Sequence, residues 1–359
     1  MTAIRTPDFK LTIGTRCFND EPMRNKVSQI TIEQMADGSS NFQVILDDSD
    51  DYFTYKDPIK EGESVNIELG FADKGTKPLF VGTVNSVQIK RREHSRKLIY
   101  VNGFDPLYCM TTGRKRRSWE DITDSDLATK IFNEHGLKIA EVEDTGIVLP
   151  FIVENNLNDL NFLQERAKHN GYELKYEVNP KREGVVFAKP KRMDGDASLR
   201  WDSTKEDSCT ALLQRCNFDT TTVNQPNSVT VRWYDPDAAE PIVGTASNVT
   251  GDAMGGQRRQ GSTSHSIQIS DIPVYSVEEA ERVAQSILDQ HAGDYLTGNG
   301  QCIGCPDVIC GHKVQILDVG DFDGEYYVTE CKHKLKVKGG TSFGYWTSFR
   351  VSRTGMGKK

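Results

Sequence analysis

Apolar and polar residues alternate with a period of two in a series of short runs, and no other feature limits the fold of this chain as much. The pattern is present in Val27–Met35, Asn41–Leu46, Ser64–Gly70, Leu79–Ile89 and Leu98–Gly103. It returns in Ser228–Tyr234, Lys313–Leu317, Gly324–Glu330 and Thr347–Val351. A period of two marks a strand with one buried face. Several such strands separated by turns predict a barrel or a sandwich. The charged run Lys90–Lys97 between two of these segments predicts a hairpin with a solvated tip.

Helical spacing interrupts the pattern in two places. Thr123-Asp-Ser-Asp126 has the form of a capping box, followed by Leu127, Ala128, Ile131 and Phe132 on one face, with Gly136 as the stop. A second helix is predicted over Asn156–Asn170, with Leu157, Leu160, Leu163 and Ala167 on one face and Gly171 closing it. Each is followed by a strand-like run, Leu137–Val142 and Tyr172–Val178, so helix, glycine and strand form a weak internal repeat. A third helix over 276–292 begins with the capping box Ser276-Val-Glu-Glu279 and ends near Gly293. The expected fold class is α+β and mainly β. It has a first β-barrel domain over 1–117, an α/β middle domain over 118–195 and a second β-barrel domain over 196–359. The stretch 245–264, rich in Gly, Ser, Thr and Asn, is expected to be a long loop, and 355–359 a loose tail.

The composition narrows the function. The chain has 359 residues, enough for two or three domains and a sizeable core. Apolar residues make up 36%, and the mean hydropathy of -0.55 fits many short strands and polar loops. No stretch reaches the roughly 18 apolar residues that would span a bilayer. The start, Met1–Asp8, lacks the apolar core of a signal peptide, so synthesis in a bacterial cytoplasm is expected. A net charge of -8 weighs against general nucleic-acid binding, which rests on cationic contacts to phosphate. The eight cysteines are expected to be free thiols.

Each candidate chemistry has a plainer reading beside it. Cys302, Cys305 and Cys310, with His312, Cys331 and His333 following, offer zinc ligands, but the third spacing is irregular and the alternative is buried thiols. The basic runs Lys90–Lys97 and Arg114–Arg117 offer phosphate binding, but no stacking aromatics accompany them. A solvated turn or an intersubunit salt-bridge surface is expected instead. The acidic runs Asp47–Asp51 and Glu141–Asp144 are expected to be exposed turns and not a glycosidase pair. His135 and His169 fall at helix C-termini, where a cation is favoured. No P-loop, nucleophile elbow or His-Glu-x-x-His motif is present, so no catalytic, cofactor or metal residue is assigned.

Three passages, in this order, resemble one family. The first comprises Glu61–Gly70, Leu79–Val84 and Tyr100–Asp105. The second is Phe151–Ala167 through Gly171-Tyr-Glu-Leu174. The third comprises Ser276–Ala280, Gly304–Ile316 and Phe322–His333. Together they are similar to the baseplate hub proteins of contractile phage tails, the late control gene D family, and to the hub part of VgrG spikes in injection systems. The resemblance extends from about Phe9 to Arg353. It implies two tail-tube-like barrels flanking an α/β part, and a homotrimer whose six barrels join a sixfold inner tube to a threefold spike. VgrG proteins continue into an OB domain and a β-helix, whereas this chain stops at Lys359. A stand-alone hub plugged by a separate spike protein is therefore expected, with the inner tube and other baseplate proteins as further partners.

The resulting expectation is a structural component of a virion or injection particle, without a cofactor, membrane insertion or nucleic acid. Two alternatives are a tail-associated cell-wall hydrolase and a carbohydrate- or nucleic-acid-binding module. Independently of the family, Val314, Ile316, Tyr326 and Val328 are expected to fill a barrel interior or a barrel–barrel contact.

Overall fold

The structure is a computed structural model, and it describes residues 6–91, 96–179, 182–190, 193–202, 204, 210–235, 238–249, 265–337 and 344–356. The tip of the Lys90–Lys97 hairpin, most of the 245–264 segment, Cys209 and the end of the tail lie outside the described residues.

The alternating runs of the N-terminal part form β1 (Pro7–Ile13), the two-residue β2 (Arg16–Cys17), β3 (Val27–Met35), β4 (Asn41–Asp47), β5 (Ser64–Phe71), β6 (Gly75–Lys90) and β7 (Leu98–Phe104). All their pairings are antiparallel, in the order β3-β4-β7-β6-β5-β1, with β2 appended to β1. The inward faces meet in one core that includes Phe9, Leu11, Ile32, Phe42, Val65 and Phe80. Of the Asp47–Asp51 run, expected to be an exposed turn, Ser49 and Asp50 are exposed and Asp48 departs from the expectation. Asp48 is fully buried and accepts hydrogen bonds from the Phe53 backbone N–H (2.7 Å) and the Thr54 hydroxyl (2.6 Å). These bonds fix a single π-helical turn over Tyr52–Lys56, and Lys97 neutralises the carboxylate at 3.1 Å.

The middle part begins with β8 (Lys115–Thr123), followed by α1 (Asp124–Glu134), β9 (Ile139–Val142), β10 (Val148–Leu157), α2 (Asp159–Asn170), β11 (Glu173–Glu177) and β12 (Gly184–Ala188). Thr123 caps α1 through the Asp126 N–H, as its sequence predicts. The second helix starts three residues later than expected. Asn156 adopts a left-handed φ of 59°, Leu157 pairs with Lys115 in the β10–β8 ribbon, and Asn158 supplies the cap. Leu157 therefore belongs to a strand and not to the helix face. Gly171 ends α2 at φ +67°, a conformation that glycine tolerates at little cost. Both helices pack on the β11-β12-β9 sheet around Leu127, Phe132, Leu163, Leu174 and Phe187.

The remaining elements are β13 (Met193–Arg200), β14 (Ala211–Thr220), β15 (Ser228–Asp235), β16 (Glu240–Ala246), β17 (Ser266–Ile269), α3 (Val277–Gly293), β18 (Leu296–Ile303), β19 (His312–Leu317), β20 (Gly324–Lys336) and β21 (Gly344–Arg353). Six of them close into a barrel, β14-β18-β21-β20-β19-β13 and back to β14. Val314, Ile316, Tyr326 and Val328 are all fully buried in its core. The other elements form a separate unit between β14 and β18. In it, α3 covers a small sheet ordered β16-β15-β17, with its own core of Val229, Val231, Val283, Ala284 and Leu288. The first two residues of the expected long loop, Thr245 and Ala246, belong to β16. Ser276 caps α3 through the Glu279 N–H, and the Glu279 carboxylate returns to the Tyr275 N–H.

The two barrels share one topology. With β2 set aside and strands counted along the chain within each barrel, both have the spatial order second, third, sixth, fifth, fourth, first. Their bulges also correspond. The register shifts at Ser28 in β3 and at Gln214 in β14, and again at Asn85 in β6 and at Thr329 in β20. The first strands differ: β1 runs antiparallel to its neighbour, whereas β13 is parallel to both of its own.

Helix α3 approaches its sheet most closely at Gly244, where an added Cβ would lie 2.2 Å from the Glu281 backbone N. Gly244→Ala is expected to lower stability by about 1–3 kcal/mol through overpacking. Gly293→Ala, where a Cβ meets nothing within 4 Å, is expected to be neutral or slightly stabilising. Urea midpoints of the two variants against the parent chain test this.

Candidate functional site at the seam between the barrels

The barrels are joined edge to edge. Gln29–Met35 of β3 pairs antiparallel with Glu330–Lys336 of β20, making one 13-stranded sheet. The seam is packed as well as hydrogen-bonded, since Leu335 and Tyr345 from the second barrel contribute to the first core and Ala36 to the second. On the outer face Lys332 bonds Glu33 at 2.5 Å and Arg350 bonds Glu330 at 3.2 Å. A cleft of about 420 Å³ follows this face, lined among others by Gln34, Met35, Arg215, Cys331 and Phe349.

In topological terms the seam sets the second strand of one barrel against the fifth strand of the other. The complementary pair of edges is open. Among the described residues, β6 beyond Asn85 is paired only with β7, and β14 beyond Leu213 is paired only with β18. When the bulges are superimposed, the central seam pair Ile32 and His333 corresponds to Phe218 and Ile89. Ile32 and His333 are both fully buried, whereas Ile89 is 53% exposed.

The zinc candidates Cys302, Cys305, Cys310 and Cys331 all lie buried in the second barrel core. Among the described residues no three His, Cys, Asp or Glu side chains are placed to hold a metal ion. The structure does bring Cys310 and Cys331 together on Gln34. The Cys310 thiol donates to the Gln34 backbone carbonyl (3.1 Å) and the Cys331 thiol to the Gln34 side-chain carbonyl (3.0 Å). His333 Nε2 lies 3.5 Å from Cys331 Sγ, while its Nδ1 is held by Tyr345 (2.8 Å) and Thr347 (3.1 Å). Burial pushes both thiols up. At Cys331 the bond from Cys310 and the electrostatic influence of His333 outweigh burial and bring the group below its ordinary value, while Cys310 stays well above it.

The basic run Arg114–Arg117 spends its charge inside the chain. Arg117 bonds Glu154 (2.8 Å), Glu134 (2.7 Å) and Asp159, and Lys115 and His135 also bond Asp159. Glu154 and Asp159 are almost fully buried, and this network joins β8, β10, α1 and α2. The sequence shows the cations but not these carboxylates, because their burial depends on β8–β10 pairing. His169 is not a helix-terminal cation. Its Nδ1 accepts from Arg166 (2.9 Å), and burial together with that guanidinium brings the imidazole from 6.5 down to about 4. Among the described residues no helix is long and apolar enough to cross a membrane.

The fold matches that of tail-machine proteins in solved structures. The 43 kDa tail protein of prophage MuSo2 from Shewanella oneidensis superimposes with a TM-score of 0.72 at 15% identity, over 97% of this chain and 99% of that one. A tail protein from Neisseria meningitidis MC58 gives 0.69 at 14% identity, over 98% of each. The E. coli c3393 protein, described as a type VI secretion component similar to the T4 tail proteins gp27 and gp5, gives 0.61 at 9% identity, over 96% of this chain and 76% of that one. At the level of sequence, residues 19–337 match a family model, and the chain belongs to the family described as the Alg8 N-terminal domain. No curated protein matches it.

Two predictions follow from the buried charges. Between pH 6.5 and 4 the unfolded chain takes up a proton at residue 169 that the folded chain refuses. The stability contributed by neutral His169 is therefore complete above pH 6.5 and is lost as pH falls towards 4. His169→Gln is expected to show a shallower fall of the urea midpoint over that interval. Arg117→Leu, which strands the buried Glu154 and takes one of three cationic partners from Asp159, is expected to cost about 3 kcal/mol at pH 7, against less than about 0.5 kcal/mol for the exposed Arg116→Leu.

Proposed function

We propose that this chain is a non-catalytic hub of a contractile tail machine, built as a ring of three copies that presents six barrels to a sixfold tube and a threefold face to a spike. On this reading the chain divides as 1–117, 118–195 and 196–359. Its partners are further copies of itself, a separate spike protein, the inner tube and other baseplate proteins, within a phage or injection particle. The observation that carries the proposal is the head-to-tail seam. A contact between unlike edges leaves one edge of each kind unused, and repetition of such a contact closes into a ring when the rotation per step divides a full turn. The open edges of β6 and β14 are the two that the seam geometry calls for. The exposed Ile89 stands where the seam has a buried residue. In this register Ile89 of one copy faces Phe218 of the next, and Arg91 faces Cys216. The likeness to tail proteins supports the same reading.

The structure offers little to the alternatives. Glu154 and Asp159, a neighbouring carboxylate pair, are buried and held by cations, unlike a glycosidase pair that faces substrate. The basic run that would bind phosphate is half consumed by the same network.

Native mass spectrometry, with the chain alone and with a co-expressed spike protein, tests the hub. The expected species is three chains of 40.2 kDa. Ile89→Asp is expected to leave the monomer folded and abolish the trimer, and Arg91→Cys to form an intermolecular disulfide with Cys216 that Cys216→Ser removes. A monomer under both conditions would overturn the proposal.

A further inference from the structure

The cysteine cluster has chemistry that the hub reading does not use. Cys310 follows the turn after β18, and Cys331 lies in the middle of β20. The two thiols are brought together on Gln34, Cys310 donating to its backbone carbonyl at 3.1 Å and Cys331 to its side-chain carbonyl at 3.0 Å. Backbone pairing fixes this approach, because the Gly311 N–H donates to the Val328 carbonyl at 2.9 Å. The surroundings of the two sulfurs differ. Cys331 has the imidazole Nε2 of His333 beside it at 3.5 Å, the same nitrogen that bonds the Val308 carbonyl at 3.1 Å, and His333 is held on its other side by Tyr345 and Thr347. Cys310 instead donates to the Gln34 backbone carbonyl. Residue Cys331 contributes to the wall of the cleft of about 420 Å³, and Cys310 to that of a second of about 210 Å³ on the other side of Gln34 and Met35, while both side chains are buried.

We propose that Cys331 and Cys310 form an oxidation site, in which Cys331 is the attacking thiol, Cys310 the resolving thiol and a small hydroperoxide the oxidant. The Cys331 thiolate attacks one peroxide oxygen. An S–O bond forms, the O–O bond breaks, and the departing hydroxide takes a proton to become water. Cys310 Sγ then attacks the Cys331 sulfenic acid. The S–S bond forms, the S–O bond breaks, and the hydroxide leaves with the Cys310 proton as a second water. Two thiols lose two electrons in total, and one peroxide gains them. The depressed Cys331 thiol and the raised Cys310 thiol suit this division, since the thiolate is the nucleophile. The product fastens the turn between β18 and β19 to β20 where β20 enters the seam. This inference stands apart from the hub reading, because it needs only the folded monomer.

The test is a peptide map of the full reduced chain after one equivalent of hydrogen peroxide at neutral pH. The expected result is a mass lower by two hydrogen atoms and a single linked peptide pair containing Cys310 and Cys331. In Cys310→Ser, dimedone is expected to trap a sulfenic acid at Cys331. In Cys331→Ser, peroxide consumption at residue 310 is expected to be about tenfold slower or less detectable still. The wild-type map needs no variant to fold. Oxidation confined to the exposed Cys17, a link between Cys302 and Cys305, or a Cys331 that stays reduced would each overturn the proposal.

Discussion

The antiparallel pairing of Gln29–Met35 with Glu330–Lys336 is the contact on which the rest of the architecture depends. It joins residues about 300 positions apart in the chain, so the entropy of closing that loop must be offset by what the seam buries. Part of that offset is visible in the exchange of side chains, with Leu335 and Tyr345 in the first core and Ala36 in the second. The seam also explains why the first barrel is not closed on itself. In the second barrel β13 pairs with Ala211 and Leu212 at the start of β14 and closes the ring, whereas among the described residues β3 pairs with β4 and β20 and not with β1.

The middle part and the inserted helix act as braces across this joint. Arg282 of α3 reaches the Thr145 carbonyl and Asn170, and Ser286 reaches the Lys168 carbonyl. Within the middle part, Asp124 receives Arg166 at 2.6 and 2.8 Å and Asn170 at 2.7 Å, so α1, α2 and α3 share one polar junction. A single Tyr327–Glu173 bond ties β20 to β11. The seam strand is therefore gripped from its hydrogen-bonded edge and from the α/β part together.

Much of this was legible in local pattern. Period-two alternation located the barrel strands, and the caps at Thr123 and Ser276 placed α1 and α3, because these signals act within a few residues. The missed features are those decided at a distance. The start of α2 moved because Leu157 is drawn into pairing with Lys115, more than forty residues earlier. Asp48 reads as one charge in an acidic turn until Lys97 arrives from the far side of a hairpin. The inserted β15–β17 unit has ordinary strand patterning, and only its pairing order separates it from the barrel. At the candidate site the cysteines were visible as a cluster, but their grouping was not. Spacing favours Cys302 with Cys305, whereas the folded sheet sets Cys310 against Cys331.

The shared topology of the two barrels and the nature of the seam bear on one another. Two copies of a barrel can meet through like edges, which satisfies both and stops, or through unlike edges, which always leaves one of each kind open. This chain uses unlike edges, the second strand against the fifth. An exposed strand edge is an aggregation hazard that proteins normally blunt with charge or cover. Here Lys90 and Arg91 stand at the end of the β6 edge, yet Ile89 beside them remains largely exposed. Charge therefore blunts the end of the β6 edge while the apolar side chain beside it stays exposed. The partner that the seam already demonstrates is the edge of a second-strand element in the same fold, and the remaining such edge on this chain is β14.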